Sequence, residues 1–218
     1  MIARIRRFFS ALRIRQRRSG FERRVAKHHA GVCAGLKTGD VAIDCGANVG
    51  DMTALMAATG ATVYAFEPNP AAFGVLSARF KNVTNVHCLN QAVLDRKETV
   101  RLFEHVRANE DPVYWSNGSS ILEFKGNVDK GRWAEVEAID LAEFIRSLKQ
   151  RVGVLKIDIE GAECAVLESL IGQNLHELVD LILVETHDHK IAELRSRTDA
   201  LRALIASRGL GHIRLDWD

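Results

Sequence analysis

Cysteine is scarce and scattered in this sequence. Cys33, Cys45, Cys88 and Cys164 lie 12, 43 and 76 residues apart, with no C-x-x-C pair among them. That spacing excludes a cysteine zinc cluster and a small disulfide framework. Isolated thiols among apolar neighbours read instead as buried cysteines in a reducing compartment. Long apolar runs are also missing, and none reaches the roughly 18 residues of a membrane span. The first residues lack the unbroken apolar core of a secretory signal, because arginines interrupt them every two or three positions. The sequons at Asn82 and Asn117 therefore have no secretory context, and the cytoplasm is the expected compartment. Neither an internal repeat nor a Pro/Gly/Ser-rich linker divides the chain. With 47% hydrophobic, 27% charged and 6% aromatic residues, the composition excludes collagen-like, low-complexity and largely disordered classes. At 218 residues the chain can bury roughly 70% of its unfolded surface around one core.

Charge is abundant but unevenly placed. Residues 1–29 carry ten Lys/Arg against a single acid, Glu22, whereas residues 30–218 carry twenty against twenty-seven. The net +2 is thus a +9 arm on a −7 body. Within the arm, Ile2, Ile5, Phe8, Phe9 and Leu12 recur at helical spacing with arginines between them, which predicts a short basic amphipathic helix. QRRSG at 16–20 breaks the pattern, and a second helix is expected over about 21–34. The arm admits three readings: a lid packing its apolar stripe on the body, a peripheral anchor on an anionic membrane surface through residues 1–20, or a phosphate-tracking segment for nucleic acid. An organellar presequence is a minor fourth. His28 and His29 lie on this arm and receive no role.

From residue 30 onward, strands and helices alternate. Strands are expected at 41–44, 62–66, 86–89, 154–159, 179–185 and 212–215. Helices are expected at about 49–59, 71–80, 141–148, 162–171 and 191–207. The interval 91–136 is less regular, with a hairpin near 100–103 and a polar loop near 116–120. The strands are nearly continuous runs of Val, Ile and Leu, as in a parallel sheet with helices on both faces. Residues 30–218 therefore read as one α/β domain.

In such a sheet, ligands bind at the carboxyl ends of the strands, at the switch point. The first strand runs into Asp44-Cys45-Gly46-Ala47-Asn48-Val49-Gly50. Its glycines permit a tight turn, and the helix that follows offers free N–H groups to an anion. The pattern is not the dinucleotide G-x-G-x-x-G, since Asn48 stands in the third place, where that pattern has its second glycine. The second strand ends Phe66-Glu67-Pro68-Asn69-Pro70. Glu67 lies 21 residues after Gly46, the separation at which an acid at a second strand end grips ribose hydroxyls. The alternatives are an ordinary turn and a solvated strand-end acid.

These two segments resemble the cofactor half of class I S-adenosylmethionine-dependent methyltransferases. Leu155-Lys156-Ile157-Asp158-Ile159-Glu160-Gly161-Ala162-Glu163 is similar to the hallmark of the FkbM family within that class. Residues 136–141 and Gly118-Ser119-Ser120-Ile121 also fall where that family has related segments. The resemblance spans roughly 36–190. It implies a Rossmann-like, doubly wound, mostly parallel α/β sheet carrying an N-terminal helical extension, with S-adenosylmethionine as cofactor and hydroxyl groups of natural products or glycans as acceptors. It places Gly46, Asn48 and Gly50 against the methionine part of the donor, Asp44 beneath it, Glu67 on the ribose and Gln91 near the adenine.

For the chemistry, an alcohol acceptor needs a general base. Lys156, Asp158 and Glu160 alternate, so an extended strand would point all three to one side. Asp158 and Glu160 would then reach the rim shared with Glu67, and Lys156 would hold Asp158 ionised. The competing reading is an ion pair closing a strand end. Glu185-Thr186-His187-Asp188-His189 ends the next strand, and neutral His187 is a candidate base with Glu185 or Glu160 on its other nitrogen. Asp158, Glu160 and His187 are the catalytic candidates. His187-x-His189 with Asp158 and Glu185 also suggests a metal, yet spacing marks no third ligand and none is assigned. Asp111-Pro112-Val113-Tyr114 follows a polar run and reads as a loop turn rather than an amino-methylation signature, with Tyr114 and Trp115 as candidate acceptor contacts. Two other functions compete: a nucleic-acid methyltransferase guided by the arm, opposed by the −7 body, and a non-catalytic donor-binding or membrane-docking protein, opposed by the intact 156–160 cluster.

Overall fold

The computed structural model describes residues 31–217, and the expectations for the 1–29 arm lie outside them. Residues Leu36–Asp218 form one compact unit. Its centre is the strand β1 (Val41–Cys45), whose five residues are all buried because helices and neighbouring strands leave it no solvent face. Five more strands join it: β2 (Thr62–Phe66), β3 (Val86–Leu89), β7 (Val152–Ile157), β8 (Val179–Val184) and β9 (Ile213–Arg214). Every pairing is parallel, in the order β3-β2-β1-β7-β8-β9. The chain steps outward from β1 to β3 and then returns to the other side of β1 at β7. The switch point therefore lies between the carboxyl ends of β1 and β7, where this architecture binds ligands.

Helices connect the strands. The first, α1 (Asp51–Ala57), starts only after Gly50, whose φ of 87° is open to glycine and strained for other residues. A Cβ there would come within 2.4 Å of Phe80 Cε2 and 2.7 Å of Leu76 Cδ1, so Gly50 also lets α1 approach the next helix. That helix, α2 (Pro70–Phe80), has Pro70 in its first turn and is capped by Asn69, whose side chain accepts from the N–H groups of Ala71 and Ala72. Asp140 caps α3 (Leu141–Leu148) in the same way. Two further helices are α4 (Glu163–Gly172) and α5 (Arg195–Ser207). The expected 191–207 helix begins instead as a separate 3-10 turn at Ala192–Leu194.

The irregular interval holds more sheet than its sequence predicts. Strands β4 (Ala92–Leu94), β5 (Glu98–His105) and β6 (Val128–Asp140) form a second sheet in the order β4-β6-β5, with β6 parallel to β4 and antiparallel to β5. Its apolar face, with Leu94, Leu102, Val136 and Ala138, packs with Ala162 at the end of the β7–α4 connection. On β6 exposed and half-buried residues alternate over most of its length, so the strand lacks the apolar run that marks the main sheet. Trp133 is 40% exposed and lies under the Arg101 guanidinium at 4.3 Å. Among the described residues, no helix is long and apolar enough to cross a membrane.

Candidate active site

Three strand-end turns meet at the switch point. After β1, Gly46 takes a φ of 77°, and a Cβ on it would lie 1.8 Å from the main-chain oxygen of Asp158, so only glycine lets the β1 and β7 ends come this close. Asn48 follows in a left-handed conformation, φ 49°. Its N–H donates to Glu67 Oε2 at 2.8 Å, and the N–H of Asn69 donates to Glu67 Oε1 at 2.8 Å. Glu67 is 5% exposed. Burial pushes its carboxyl up to about 7, against the two main-chain N–H groups and Lys156, which favour the ionised form.

A loop closes over these turns by three serine contacts. Ser116 Oγ accepts from Asn48 Nδ2 at 2.9 Å, Ser119 Oγ accepts from Asn69 Nδ2 at 3.1 Å, and Ser120 Oγ donates to the Glu160 carbonyl at 2.7 Å. The result is a partly open cavity at the strand ends. Gly46, Asn48, Glu67 and Gln91 line it, as do Asp158 and Glu160. Val93, Leu94 and Leu102 of the second sheet supply an apolar wall. Asp44 and Gly50 do not border it. Asp44 is wholly buried, accepts from Thr53 Oγ1 at 2.6 Å and pairs with Lys156 Nζ at 3.5 Å. It fixes the base of the turn, whereas Gly50 serves helix packing.

The β7 end departs from the expected geometry. The strand stops at Ile157, and Glu160 and Gly161 have φ values of 58° and 121°. Glu163 draws the chain round, its Oε1 accepting from the N–H groups of Ile159 at 3.1 Å and Gly161 at 3.0 Å. Lys156, Asp158 and Glu160 are therefore not an alternating row on one strand. They still converge, but through the turn. Lys156 Nζ pairs with Asp158 Oδ2 at 3.1 Å and donates to the Gly46 carbonyl at 2.8 Å. Burial works against its charge, yet Asp158 and Asp44 outweigh it and push the ammonium pKa up.

His187, 1% exposed, sits at the centre of this turn. Its Nδ1 lies 2.9 Å from Glu163 Oε1, so Glu163 holds this nitrogen rather than Glu185 or Glu160. Around Nε2 stand Glu160 Oε2 at 3.3 Å, Glu185 Oε1 at 3.6 Å and Asp158 Oδ1 at 3.8 Å. Burial would discharge the ring, but Glu160 and Glu163 outweigh it and raise its pKa to about 10. His187 is thus a poor neutral base, and it does not border the cavity. Each of the three carboxylates facing Nε2 also has a lysine: Asp158 has Lys156, Glu185 has Lys190 at 3.2 Å, and Glu160 has Lys125 at 2.5 Å.

Residues 44–210 match the model of the Methyltransferase FkbM domain. The chain belongs to the FkbM methyltransferase family. A Beauveria bassiana (strain ARSEF 2860) protein named Methyltransferase 1 is 26% identical over 192 residues, covering 80% of this chain and 74% of that one. Among solved structures, an rRNA methylase from Streptococcus thermophilus has a TM-score of 0.45 at 11% identity, covering 83% of this chain and 76% of that chain. A putative rRNA-methylase from Clostridium thermocellum has a TM-score of 0.42 at 13% identity, with 81% and 80% covered.

The FkbM assignment makes the chain a methyltransferase, which implies a methyl donor. The residues fit such a group: a buried carboxylate with spare lone pairs, a bare glycine turn and an apolar wall border one volume. Two parts of the site escape a reading of the sequence. Glu163 stands in the family hallmark, and its place at the start of α4, two residues after a glycine, is the signal of a turn-closing acid. Lys125, 5% exposed and donating to the Gly118 carbonyl at 3.0 Å, comes from the irregular loop and carries no local signal. Tyr114 and Trp115 do not border the cavity. Trp115 stacks on His105 at 4.4 Å, and Asp111 Oδ1 accepts from the Tyr114 N–H at 2.9 Å, so 111–114 is the expected loop turn. His189 stays apart from the cluster, its ring 6.5 Å from that of His187.

Proposed function

We propose that the chain is an S-adenosylmethionine-dependent O-methyltransferase acting on a hydroxyl of a small natural product or glycan. What supports the reading is one shared wall: Gly46, Glu67 and Asp158 border the same cavity, so a hydroxyl-gripping carboxylate and a proton-accepting carboxylate face one bound molecule. The donor supplies a methyl group already electrophilic on its sulfonium. The chain's own task is alignment and the handling of a proton. Glu67, held by Asn48 and Asn69, accepts the ribose hydroxyls. Gly46 and Asn48 approach the methionine portion, Asp44 steadies that turn from below, and Gln91 borders the adenine end. Asp158, with 26% of its side chain exposed, is the candidate group to receive the acceptor's proton. Glu160 and His187 act as positioning residues behind it.

Calorimetric titration of the full chain with S-adenosylmethionine tests the donor half. Saturable heat, weakened at least tenfold in Glu67→Ala, is expected. No heat, or undiminished affinity in the variant, would sink the reading. Transfer of labelled methyl to a panel of hydroxyl-bearing acceptors tests the other half, and transfer only to nitrogen acceptors would refute it.

A further inference from the structure

Three carboxylates and one imidazole nitrogen converge behind the donor cavity, at 3.3–3.8 Å and without a well-formed hydrogen bond. His187 Nε2 is buried and has no partner in hydrogen-bond geometry. A neutral ring, with Nδ1–H on Glu163, turns a buried Nε2 lone pair towards carboxylates and leaves it unsatisfied, which is costly. From the assembled atoms, we infer that Asp158, Glu185 and His187 form a binding site for a divalent cation of the Mn²⁺/Mg²⁺ type.

Ligand atoms from these three residues lie within 4.8 Å of one another. Atoms sharing an ion at roughly 2.1 Å stand roughly 3.0 Å apart at right angles and roughly 3.4 Å apart at the tetrahedral angle. The separations of 3.6 Å to Glu185 and 3.8 Å to Asp158 need only a small contraction to meet that spacing. The orientation is also right. Glu163 holds Nδ1, which fixes the ring so that Nε2 is the nitrogen presented to the cluster, the arrangement in which a carboxylate orients a metal-binding histidine. Asp158 gives one oxygen to Lys156 and turns the other towards Nε2. Glu160 is committed to Lys125 and closes the fourth side. Two hard oxygens and one imidazole suit Mn²⁺ better than a soft-ligand metal, with Mg²⁺ as a weaker competitor. Asp158 borders both this cluster and the cavity. A cation held here would supply positive charge beside the acceptor oxygen. That consequence rests on the methyl-transfer reading, whereas the cation site itself does not.

The test is titration of the metal-free full chain with Mn²⁺, read by the loss of the free-ion electron paramagnetic resonance signal. One saturable ion per chain is expected, displaced by excess Mg²⁺. Glu185→Gln, a partly exposed ligand whose loss spares the core, should weaken uptake at least tenfold. Glu163→Gln should weaken it about 10- to 100-fold through the ring's orientation alone. No saturable uptake at millimolar Mn²⁺, or undiminished uptake in Glu185→Gln, overturns the site. Donor calorimetry on the same samples separates the two readings. Donor binding without Mn²⁺ uptake overturns only the cation site, and Mn²⁺ uptake without donor binding overturns only the donor reading.

Discussion

With Glu67 as the proposed ribose carboxylate, donor affinity should depend on pH in a way that can be worked out beforehand. Its carboxyl is buried and pushed up to about 7, while both oxygens accept main-chain N–H groups. The ionised form is the one that can also accept two ribose hydroxyls. If only that form is competent, apparent affinity scales with its fraction, which is roughly 0.9 at pH 8 and roughly 0.03 at pH 5.5. Donor-product affinity should therefore fall roughly 30-fold between those values. Stability moves the opposite way. The folded pKa lies above the unfolded value, so the contribution of Glu67 is fully present below about 4.5 and is lost as pH rises through about 7. The swing is on the order of 3 kcal/mol. Donor binding should then raise the melting temperature most at pH 8, where the empty site carries a buried charge. Glu67→Gln keeps the shape but mimics the protonated acid, so its affinity should be no higher than that of wild type at pH 5.5 and should stay flat to pH 8. Calorimetry with S-adenosylhomocysteine at pH 5.5, 7 and 8 measures this, and the variant controls for titration of the ligand. Equal wild-type affinity at pH 5.5 and 8, or a variant with the same pH slope, would refute the assignment of Glu67 as the ribose carboxylate.

Three further substitutions probe the frame of the site. Gly46→Ala places a methyl 1.8 Å from the Asp158 carbonyl at a φ of 77°, and main chain cannot step aside as a side chain can. We expect a loss of about 3 kcal/mol or more in urea denaturation, with donor binding abolished. Gly50→Ala meets only the side chains of Phe80 and Leu76, so it should cost stability while the folded fraction keeps its donor affinity. Lys156→Met strands the wholly buried Asp44 without its cation and should cost about 3–5 kcal/mol. Denaturation at pH 4 and 7 checks this, and a loss under 1 kcal/mol at pH 7 would contradict the pairing.

Much of the β1 and β2 side of the cavity was legible in the sequence because its signals are local. A strand ending in Asp44 and Gly46, and a second ending in Glu67 before two prolines, need no partner to be recognised. The helix caps at Asn69 and Asp140 are equally local. The other half was not legible. The period-2 pattern at 156–160 implied a continuing strand, but two left-handed residues and the Glu163 side chain end it at Ile157. The thirteen-residue β6 was obscured because one of its faces is solvated, so its composition resembles loop. Gly50 looked like a donor contact from its motif, yet its neighbours are Phe80 and Leu76.

By itself, the sequence determined the parallel α/β order, the glycine turn and the acid that follows it, since hydrophobic period and turn chemistry act within a few residues. The tertiary structure alone decided what surrounds His187. Glu160, Glu163, Glu185, Asp158 and Lys125 are drawn from three separate stretches of chain, and only the closing of β7 against β8 and of the serine loop over both brings them within ion-pair distance. Charge interactions depend on separation in space, so the pKa of that ring and its capacity to hold a cation are properties of the fold.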